Sequence, residues 1–457
     1  MDIKADLLVI GGGMAGLVAG MVGAEAGLKV VVLRKGQGAT AISSGAVDII
    51  SYLPGADTPF ANAIEGLHVL SEVYPLHPYS VLGYSDEGLP SDAERVVARV
   101  GESANWLKEK LSGTPSALVG DLSRSIQAVT MLGSSKPTSL VQETMFAEGS
   151  DDWHDGVVLF AGFRGFPDFN PSMAGKAFLD SRLQGDNRPR RIANCTLEAL
   201  PFDTPYNISS FEIARYADRE DGLLRVAKLL REHVKSTGAD FVALPPVLGL
   251  RRARANKAEL EEKTGAVIFE LLAFPPSVPG LRLQTALEST LNNEGGRVLI
   301  GHEAVSIDKR EEHIHSVKVK TPRRTLNIIP SAVVLASGKF IGGGLRGDER
   351  GISETLMGLT VVDVDSFQTK GMRPQRLTNV MALNSEGHPL FGLGIAFDSR
   401  FRPVGPDGQP VADNMFAAGS MLSRYNYLTE KSGLGVALST GYAAGTNAAD
   451  YVKGVLS

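Results

Sequence analysis

The segment Ala5–Lys35, ADLLVIGGGMAGLVAGMVGAEAGLKVVVLRK, decides the fold that this sequence predicts. Leu7–Ile10 is a short apolar run that suits a strand buried on both faces. Gly11–Gly16 follows with the pattern G-x-G-x-x-G, and Met14–Ala26 has the composition of a helix. Lys29–Leu33 is a second apolar run of strand length. Strand, glycine turn, helix and strand in this order form a βαβ unit, which predicts binding of a dinucleotide-type ligand.

Each glycine of this turn has its own steric task. Gly11 permits a turn too tight for a Cβ atom, Gly13 lets the backbone approach a phosphate, and Gly16 lets the helix pack on the sheet. Met14 and Ala15 open the helix, whose unpaired N–H groups and positive end attract an anion. We therefore expect Gly11, Gly13, Met14, Ala15 and Gly16 to hold the phosphate of a cofactor.

The residue that ends the second strand departs from the usual pattern. Flavin- and NAD-binding proteins place an Asp or Glu there to hold ribose hydroxyls, whereas this chain has Arg34 followed by Lys35. A cation cannot accept those hydrogen bonds, but it can bind a ribose phosphate or the terminal phosphate of a mononucleotide. An exposed arginine at a strand end is the alternative interpretation.

Further small residues follow predicted strands or begin the last helix. The loop after the second strand, rich in serine, lies where open α/β folds bind ligands and could hydrogen-bond a flavin ring edge; an ordinary polar loop is the alternative. Two later strands, Ala332–Ala336 and one that begins at Asn414, run into glycine turns of the same kind. The residues expected to line the ligand site are Ser43, Ser44, Gly45, Ser337, Gly338, Gly419, Ser420, Gly433 and Leu434.

Length, charge and cysteine content exclude several classes of protein. A chain of 457 residues is long enough for about two domains, and its net charge of −5 gives no electrostatic footprint for nucleic acid. Cys195 is the single cysteine, so disulfides, cysteine-ligated iron–sulfur clusters and C-x-x-C redox pairs are excluded within the chain. Leu7–Ala24 carries no charge, but its glycines argue against a membrane span or signal peptide, and we expect a cytoplasmic protein.

With these features in place, the sequence resembles the B-subunit family of anaerobic glycerol-3-phosphate dehydrogenase, a family of flavoproteins. The resemblance covers most of the chain, and its middle motifs are the most specific ones. The matching segments are Gly11–Gly16, Arg34–Gln37, Ser43–Gly45, Gly165–Phe169, Leu244–Leu250, Pro275–Val278, Arg282–Leu283, Phe401–Pro403 and Asn414–Gly419.

The resemblance implies a subunit of a three-part complex that oxidises sn-glycerol 3-phosphate to dihydroxyacetone phosphate during anaerobic respiration. Its partners would be a catalytic flavoprotein subunit and an iron–sulfur, membrane-associated subunit, which pass electrons on to quinone. The family is assigned FMN, which agrees with Arg34 at the strand end, and FAD is the alternative. A partner could hold the chain peripherally on the inner face of the cytoplasmic membrane.

The predicted fold class is α/β, with an FAD/NAD(P)-binding Rossmann-like three-layer domain that carries an inserted α+β cap or substrate domain. We expect the flavin-binding domain in three parts, residues 1–90, 277–350 and 411–457. Residues 91–276 would form the inserted domain, in which hairpin-like strands such as Val157–Phe160 and Arg191–Thr196 alternate with helices. Residues 351–410 would be a second, cap-like excursion.

Oxidation of an alcohol requires a base for the hydroxyl proton, and a phosphorylated substrate requires a cation. His388 is the candidate base, although a lone histidine is more often structural, and Arg424 and Lys431 are the candidate anion ligands. Asp151–Asp155 lacks the spacing of a known carboxylate site and is more typical of a solvated acidic loop. His313 and His315 share a strand face, but the sequence suggests no third ligand, so no metal is expected.

Two other functions fit the same sequence. The chain could be an assembly or electron-relay component that binds flavin weakly or not at all. It could also be a single-chain, fumarate-reductase-like flavoprotein that acts on another substrate, which predicts turnover without partner chains.

Overall fold

The structure is a computed structural model that describes residues 2–84, 91–148, 156–181, 189, 191–200, 207–349, 351–363, 377–382 and 384–454. Its strands are β1 (Asp2–Ile10), β2 (Val30–Arg34), β3 (Leu118–Gly120), β4 (Ile126–Val129), β5 (Ser135–Thr138), β6 (Leu140–Gln142), β7 (Val157–Phe163), β8 (Arg191–Leu197), β9 (Phe241–Leu244), β10 (Val267–Glu270), β11 (Arg297–Ile300), β12 (Glu303–Arg310), β13 (His313–Lys320), β14 (Thr325–Leu335), β15 (Leu345–Asp348), β16 (Gly351–Glu354), β17 (Val361–Val362), β18 (Gly394–Ile395) and β19 (Met415–Ala417). Its helices are α1 (Met14–Glu25), α2 (Ala63–Val73), α3 (Pro78–Leu82), α4 (Ala93–Leu111), α5 (Pro171–Ser181), α6 (Ser210–Ala217), α7 (Glu220–Thr237), α8 (Ala253–Thr264), α9 (Val278–Asn293), α10 (Tyr427–Glu430) and α11 (Gly433–Val452).

The larger sheet contains the predicted βαβ unit at its centre. Strands β11, β2, β1 and β14 are parallel neighbours in that order. On the side away from β1, the first part of β14 pairs antiparallel with β13, and its last part pairs parallel with β19. In the βαβ unit, residues 7–10 of β1 and 30–33 of β2 are apolar and buried, as expected where helices cover both faces of a parallel sheet. This arrangement confirms the predicted α/β, Rossmann-like class.

The smaller sheet corrects one sequence-based prediction. Its order is β10-β9-β7-β8 and all of its pairs are parallel, with Val157 opposite Arg191 at the start of β7 and β8. The prediction of hairpin-like strands here was therefore wrong. Helix α5 lies between β7 and β8 in the chain, and parallel strands need such a crossover, whereas a hairpin needs only a short turn.

The two largest hydrophobic cores among the described residues correspond to the larger and the smaller sheet. The first takes residues from β1, β2, α1, α9, β14 and α11, and the second takes residues from β7 to β10 with α7 and α8. Helix α4 buries Val96, Val100 and Leu107 in the first core, together with Leu122. Leu140 also belongs to the first core, whereas Val129 and Met131 belong to the second. The expected domain boundaries stay predictions.

No helix among the described residues is both long and apolar enough to span a bilayer.

Candidate functional site

The turn between β1 and α1 has no room for side chains. Gly11 has a φ of +124°, and a Cβ atom on it would lie 2.1 Å from the carbonyl oxygen of Ala336. A Cβ atom on Gly16 would lie 1.9 Å from the carbonyl oxygen of Gly11. Only glycine therefore fits at either position, so this turn brings the backbone of α1 close to the carboxyl ends of β1 and β14.

The first turn of α1 keeps free donors. The Met14 N–H donates to the Thr40 hydroxyl at 2.8 Å. Gly13 is the N-cap residue and has no side chain to cap the helix. Within the described residues, the N–H groups of Gly13 and Ala15 have no hydrogen-bond partner. Such donors at a helix N-terminus suit a phosphate.

Arg34 lies beside this turn and is largely buried. Its side chain is 16% exposed and forms an ion pair with Glu288 of α9. Its Nε atom is buried and has no partner in the part of the chain that the structure describes. A Cβ atom on Gly12 would lie 2.7 Å from the Cβ atom of Arg34, so the two residues are in contact. Lys35 is different, because its ammonium group pairs at the surface with Glu303 at 2.6 Å.

Two more glycine turns meet the first at the carboxyl ends of β14 and β19. Gly338 and Gly419 have φ values of +73° and +78°. The Ser420 hydroxyl accepts a hydrogen bond from the Lys339 N–H at 3.3 Å, which joins the two turns. A Cβ atom on Gly419 would lie 2.7 Å from that of Ala15. The neighbouring Ser337 hydroxyl lies 3.8 Å from the sulfur of Met421.

The last helix packs along the first and extends beyond it. A Cβ atom on Gly441 would lie 2.5 Å from the carbonyl oxygen of Ala15, and one on Gly445 would lie 2.9 Å from the Cα atom of Ala19. Gly433 comes eight residues before Gly441, so the N-terminus of α11 lies about 12 Å beyond that contact. No described residue accepts the N–H groups of Gly433 and Leu434. Two open helix N-termini therefore face the same edge of the sheet.

The serine loop lies at the same edge, and its hydroxyl groups stabilise its own turn. The Ser43 hydroxyl donates to the Thr40 carbonyl at 2.8 Å and accepts from the Gly45 N–H at 3.3 Å. The Ser44 hydroxyl accepts from the Ala46 N–H at 3.4 Å. Both serines are half-buried, which leaves them partly accessible to a ligand.

His388 does not have a free ring nitrogen. Its Nδ1 accepts from the Asn379 N–H at 2.9 Å, so Nε2 carries the proton and lies 3.1 Å from the Ala382 carbonyl oxygen. The imidazole therefore holds the local backbone, and the geometry does not favour it as a base. Asp151–Asp155 lie outside the described residues.

Arg424 and Lys431 are half-buried near the start of α11. Burial lowers the pKa of the Arg424 guanidinium. The Lys431 ammonium donates to the Leu428 carbonyl at 2.7 Å. Burial, and next the nearby charge of Lys136, lower the pKa of Lys431, while Asp48 opposes them.

Sequence reasoning missed a buried polar cluster beside the same helix terminus. Lys339 is 4% exposed, donates to the Phe391 carbonyl, and lies 4.9 Å from the centre of the Tyr425 ring. Burial lowers the pKa of Lys339 to about 7. The hydroxyl groups of Tyr425 and Ser423 are buried without partners among the described residues. A lysine directly after the predicted Ser337-Gly338 turn was the available signal.

Beneath this cluster, Glu430 binds His77. The two side chains are 3.2 Å apart and each is 1% exposed. His77 also accepts from the Tyr79 N–H through Nδ1, so its Nε2–H donates to the Glu430 carboxylate. Burial acts to raise the pKa of Glu430, but His77 and two further donors outweigh it and the pKa is lowered. This pair fixes α10 against α3.

Comparisons with known proteins agree with this geometry. The family model described as "FAD binding domain" matches residues 6–436. The B subunit of anaerobic glycerol-3-phosphate dehydrogenase from Vibrio vulnificus is 30% identical, over 97% of this chain and 95% of the relative. The corresponding B subunit from Aliivibrio fischeri is 28% identical over 96% of this chain and 94% of the relative. The probable B subunit from Halobacterium salinarum is 28% identical over 99% of both chains.

Solved structures give weaker likenesses. The quinol fumarate reductase chain of E. coli is 10% identical, with a TM-score of 0.42 over 100% of this chain and 72% of the other. A flavocytochrome c3 fumarate reductase is also 10% identical, with a TM-score of 0.44 over 98% of this chain and 79% of the other. Scores at this level support no argument about function. The family model and the sequence relatives, in contrast, show the family. The chain belongs to the FAD-binding-domain family and, within it, to the B-subunit family of anaerobic glycerol-3-phosphate dehydrogenase.

Proposed function

We propose that this chain is the flavin-binding B subunit of a complex that oxidises sn-glycerol 3-phosphate to dihydroxyacetone phosphate in anaerobic respiration. The observation that carries the proposal is the pair of open helix N-termini, α1 and α11, at one edge of the sheet in a chain of this family. One terminus suits a phosphate and the other suits the electron-rich edge of a ring, and the α11 terminus extends about 12 Å along the helix axis beyond its contact with Ala15.

The residues at the edge fit a flavin. Gly13 and Ala15 would hold its phosphate through their free N–H groups, and Gly433 and Leu434 would hold the ring through theirs. When bound, a flavin takes up the two electrons that oxidation of an alcohol releases. Lys339 lies directly after the Ser337-Gly338 turn, and burial lowers the pKa of its amine to about 7. This amine can therefore take up a proton close to neutral pH.

We propose FMN as the flavin, with FAD as the alternative. Arg34 ends β2 and pairs with Glu288 of α9, whereas a dinucleotide-binding fold has an acid at that strand end to hold an adenosine ribose. The Nε–H of Arg34, which has no partner among the described residues, suits the terminal phosphate of a mononucleotide.

The partners proposed are a catalytic flavoprotein subunit and an iron–sulfur, membrane-associated subunit that delivers electrons to quinone. The relatives carry the names of B subunits, which supports an assembly, and the single cysteine leaves the clusters to another chain. We propose a cytoplasmic location, peripheral on the inner face of the cytoplasmic membrane through the partner.

The test is to purify the chain alone and with its partners, without oxygen. We expect a yellow chain whose flavin absorbance is bleached by glycerol 3-phosphate in the complex, and acid release with chromatography identifies FMN or FAD. A colourless chain that takes up no added flavin would favour the alternative of an assembly component. Turnover by the chain alone on another substrate would favour the single-chain alternative.

A further inference from the structure

A glutamine of α9 reaches the glycine turn between β1 and α1. The side-chain Nε2 of Gln284 donates to the Gly12 carbonyl at 2.7 Å and to the Glu288 carboxylate at 2.6 Å. Both partners can only accept, so they fix which end of the amide group faces the turn. Gln284 is 1% exposed, and its bond to Gly12 is therefore shielded from water. Helix α9 thus holds the backbone of the turn by a buried hydrogen bond.

The Glu288 carboxylate keeps the Gln284 amide in place. Gln284 and Glu288 are four residues apart on α9 and share one face of the helix. The Oε1 atom of Glu288 that accepts from Gln284 also forms the ion pair with Arg34. Arg34 ends β2 and lies against Gly12. One carboxylate oxygen therefore joins the glutamine to the strand end beside the turn, and Arg34 balances its charge.

The bond to Gly12 also sets the direction of the next N–H group. The Gly12 carbonyl and the Gly13 N–H belong to one trans peptide unit, in which these two groups point in opposite directions. Because neither glycine has a Cβ atom, this unit has more orientations open to it than other peptide units. Gln284 selects the orientation in which the carbonyl faces α9 and the Gly13 N–H faces away from it.

We propose that Gln284 positions the Gly13 N–H for the phosphate of the flavin nucleotide by holding the Gly12–Gly13 peptide in one orientation. This assignment rests on the proposed function, since it concerns how the same site binds its flavin. The turn fits a phosphate, because the N–H groups of Gly13 and Ala15 at the positive end of α1 meet no acceptor in the described parts of the chain.

Gln284 acts through the backbone and does not contact the phosphate. A donor that is oriented before the ligand arrives binds more tightly than one that must be ordered on binding. The contribution of Gln284 should therefore depend on the phosphate and should be absent for a flavin without one. A purely structural role would weaken the binding of every flavin equally.

The test compares the affinity for a flavin nucleotide with the affinity for riboflavin, which has no phosphate. The full chain, freed of flavin, is titrated with FMN, FAD and riboflavin, and fluorescence gives each affinity. Gln284→Met is uncharged, has a similar length and removes the donor. We expect it to weaken the nucleotide that the wild type binds by about tenfold or more, because hydrogen bonds to charged groups are strong, and to leave riboflavin binding unchanged.

Two further variants complete the test. Gln284→Asn keeps a polar amide, but its side chain is too short to reach Gly12, so it should give the same selective loss. Its result decides the question if Gln284→Met does not show a cooperative urea transition. Gln127→Met, at an exposed position of β4, is the matched control and should change neither affinity.

The ratio of the two affinities separates this assignment from the proposed function. Equal losses for the nucleotide and riboflavin, or no loss for either, would overturn the positioning role and leave the proposed function intact. A selective loss for the nucleotide supports the positioning role even if the complex does not oxidise glycerol 3-phosphate, a result that would overturn the proposed function alone. A wild-type chain that binds no flavin would overturn both.

Discussion

Arg282 and Glu270 form a buried ion pair that joins the two cores of the molecule. The guanidinium of α9 lies 2.9 Å from the carboxylate at the end of β10, and both side chains are fully buried. Arg282 also donates to the Gly249 carbonyl at 2.7 Å and to Thr144 at 3.1 Å, so its donors are well satisfied. The core around the smaller sheet is therefore fixed on the core around the larger sheet by polar contacts of defined geometry.

We expect Arg282→Met to destabilise the protein by about 3–5 kcal/mol, because it leaves the Glu270 carboxylate buried without its partner. Chemical denaturation measures the loss. The double variant Arg282→Met with Glu270→Leu should lose less, since it removes both charges. Arg219→Ala, which breaks an exposed pair with Asp221, is the control and should have no measurable effect. Equal stability of the wild type and Arg282→Met would contradict this role.

Gly11→Ala should abolish flavin retention, because its Cβ atom would collide with the Ala336 carbonyl and its φ of +124° excludes an alanine without strain. The flavin-to-protein absorbance ratio after gel filtration is the measurement. Gly36→Ala is the matched control, since a Cβ atom there meets no described atom within 4 Å. A yellow Gly11→Ala protein would show that the turn does not hold the cofactor.

Arg34→Ala should weaken flavin binding by about tenfold or more, as expected for loss of a charge-assisted hydrogen bond to phosphate. Lys35→Ala should weaken it much less, because Lys35 pairs with Glu303 at the surface. Titration of the apoprotein with FMN and with FAD, followed by fluorescence, gives both affinities. Similar losses for the two variants would argue against a specific role for Arg34.

Lys339 should make stability depend on pH. Burial lowers its pKa from 10.5 in the unfolded chain to about 7 in the fold, so the unfolded chain binds more protons between these values. The free energy of unfolding should therefore rise as pH increases from about 7 to about 10. Lys339→Met should be more stable than the wild type near pH 7 and should lose this part of the slope. Urea denaturation at about pH 7 and about pH 9 measures both, and parallel pH profiles would refute the assignment.

The βαβ unit and the glycine turns could be predicted because their signals are local. Gly11, Gly16 and Gly419 occur at tight turns and close contacts that a Cβ would obstruct, and the neighbouring strands are continuous apolar runs. Lys339 could not be placed, because its surroundings come from segments far apart in the chain. The apolar residues of α4 recur with helical spacing, but such periodicity does not say which of two cores will bury the apolar face.

The contact of α1 with α11 also has a consequence for biosynthesis. Helix α1 packs on α11, with Ala15 against Gly441, and β14 lacks its neighbour β19 until Met415–Ala417 has been synthesised. The region around the smaller sheet, which has its own core, can form earlier on the ribosome, whereas the larger sheet must wait for the synthesis of β19 and α11. Cofactor loading should accordingly follow the synthesis of α11.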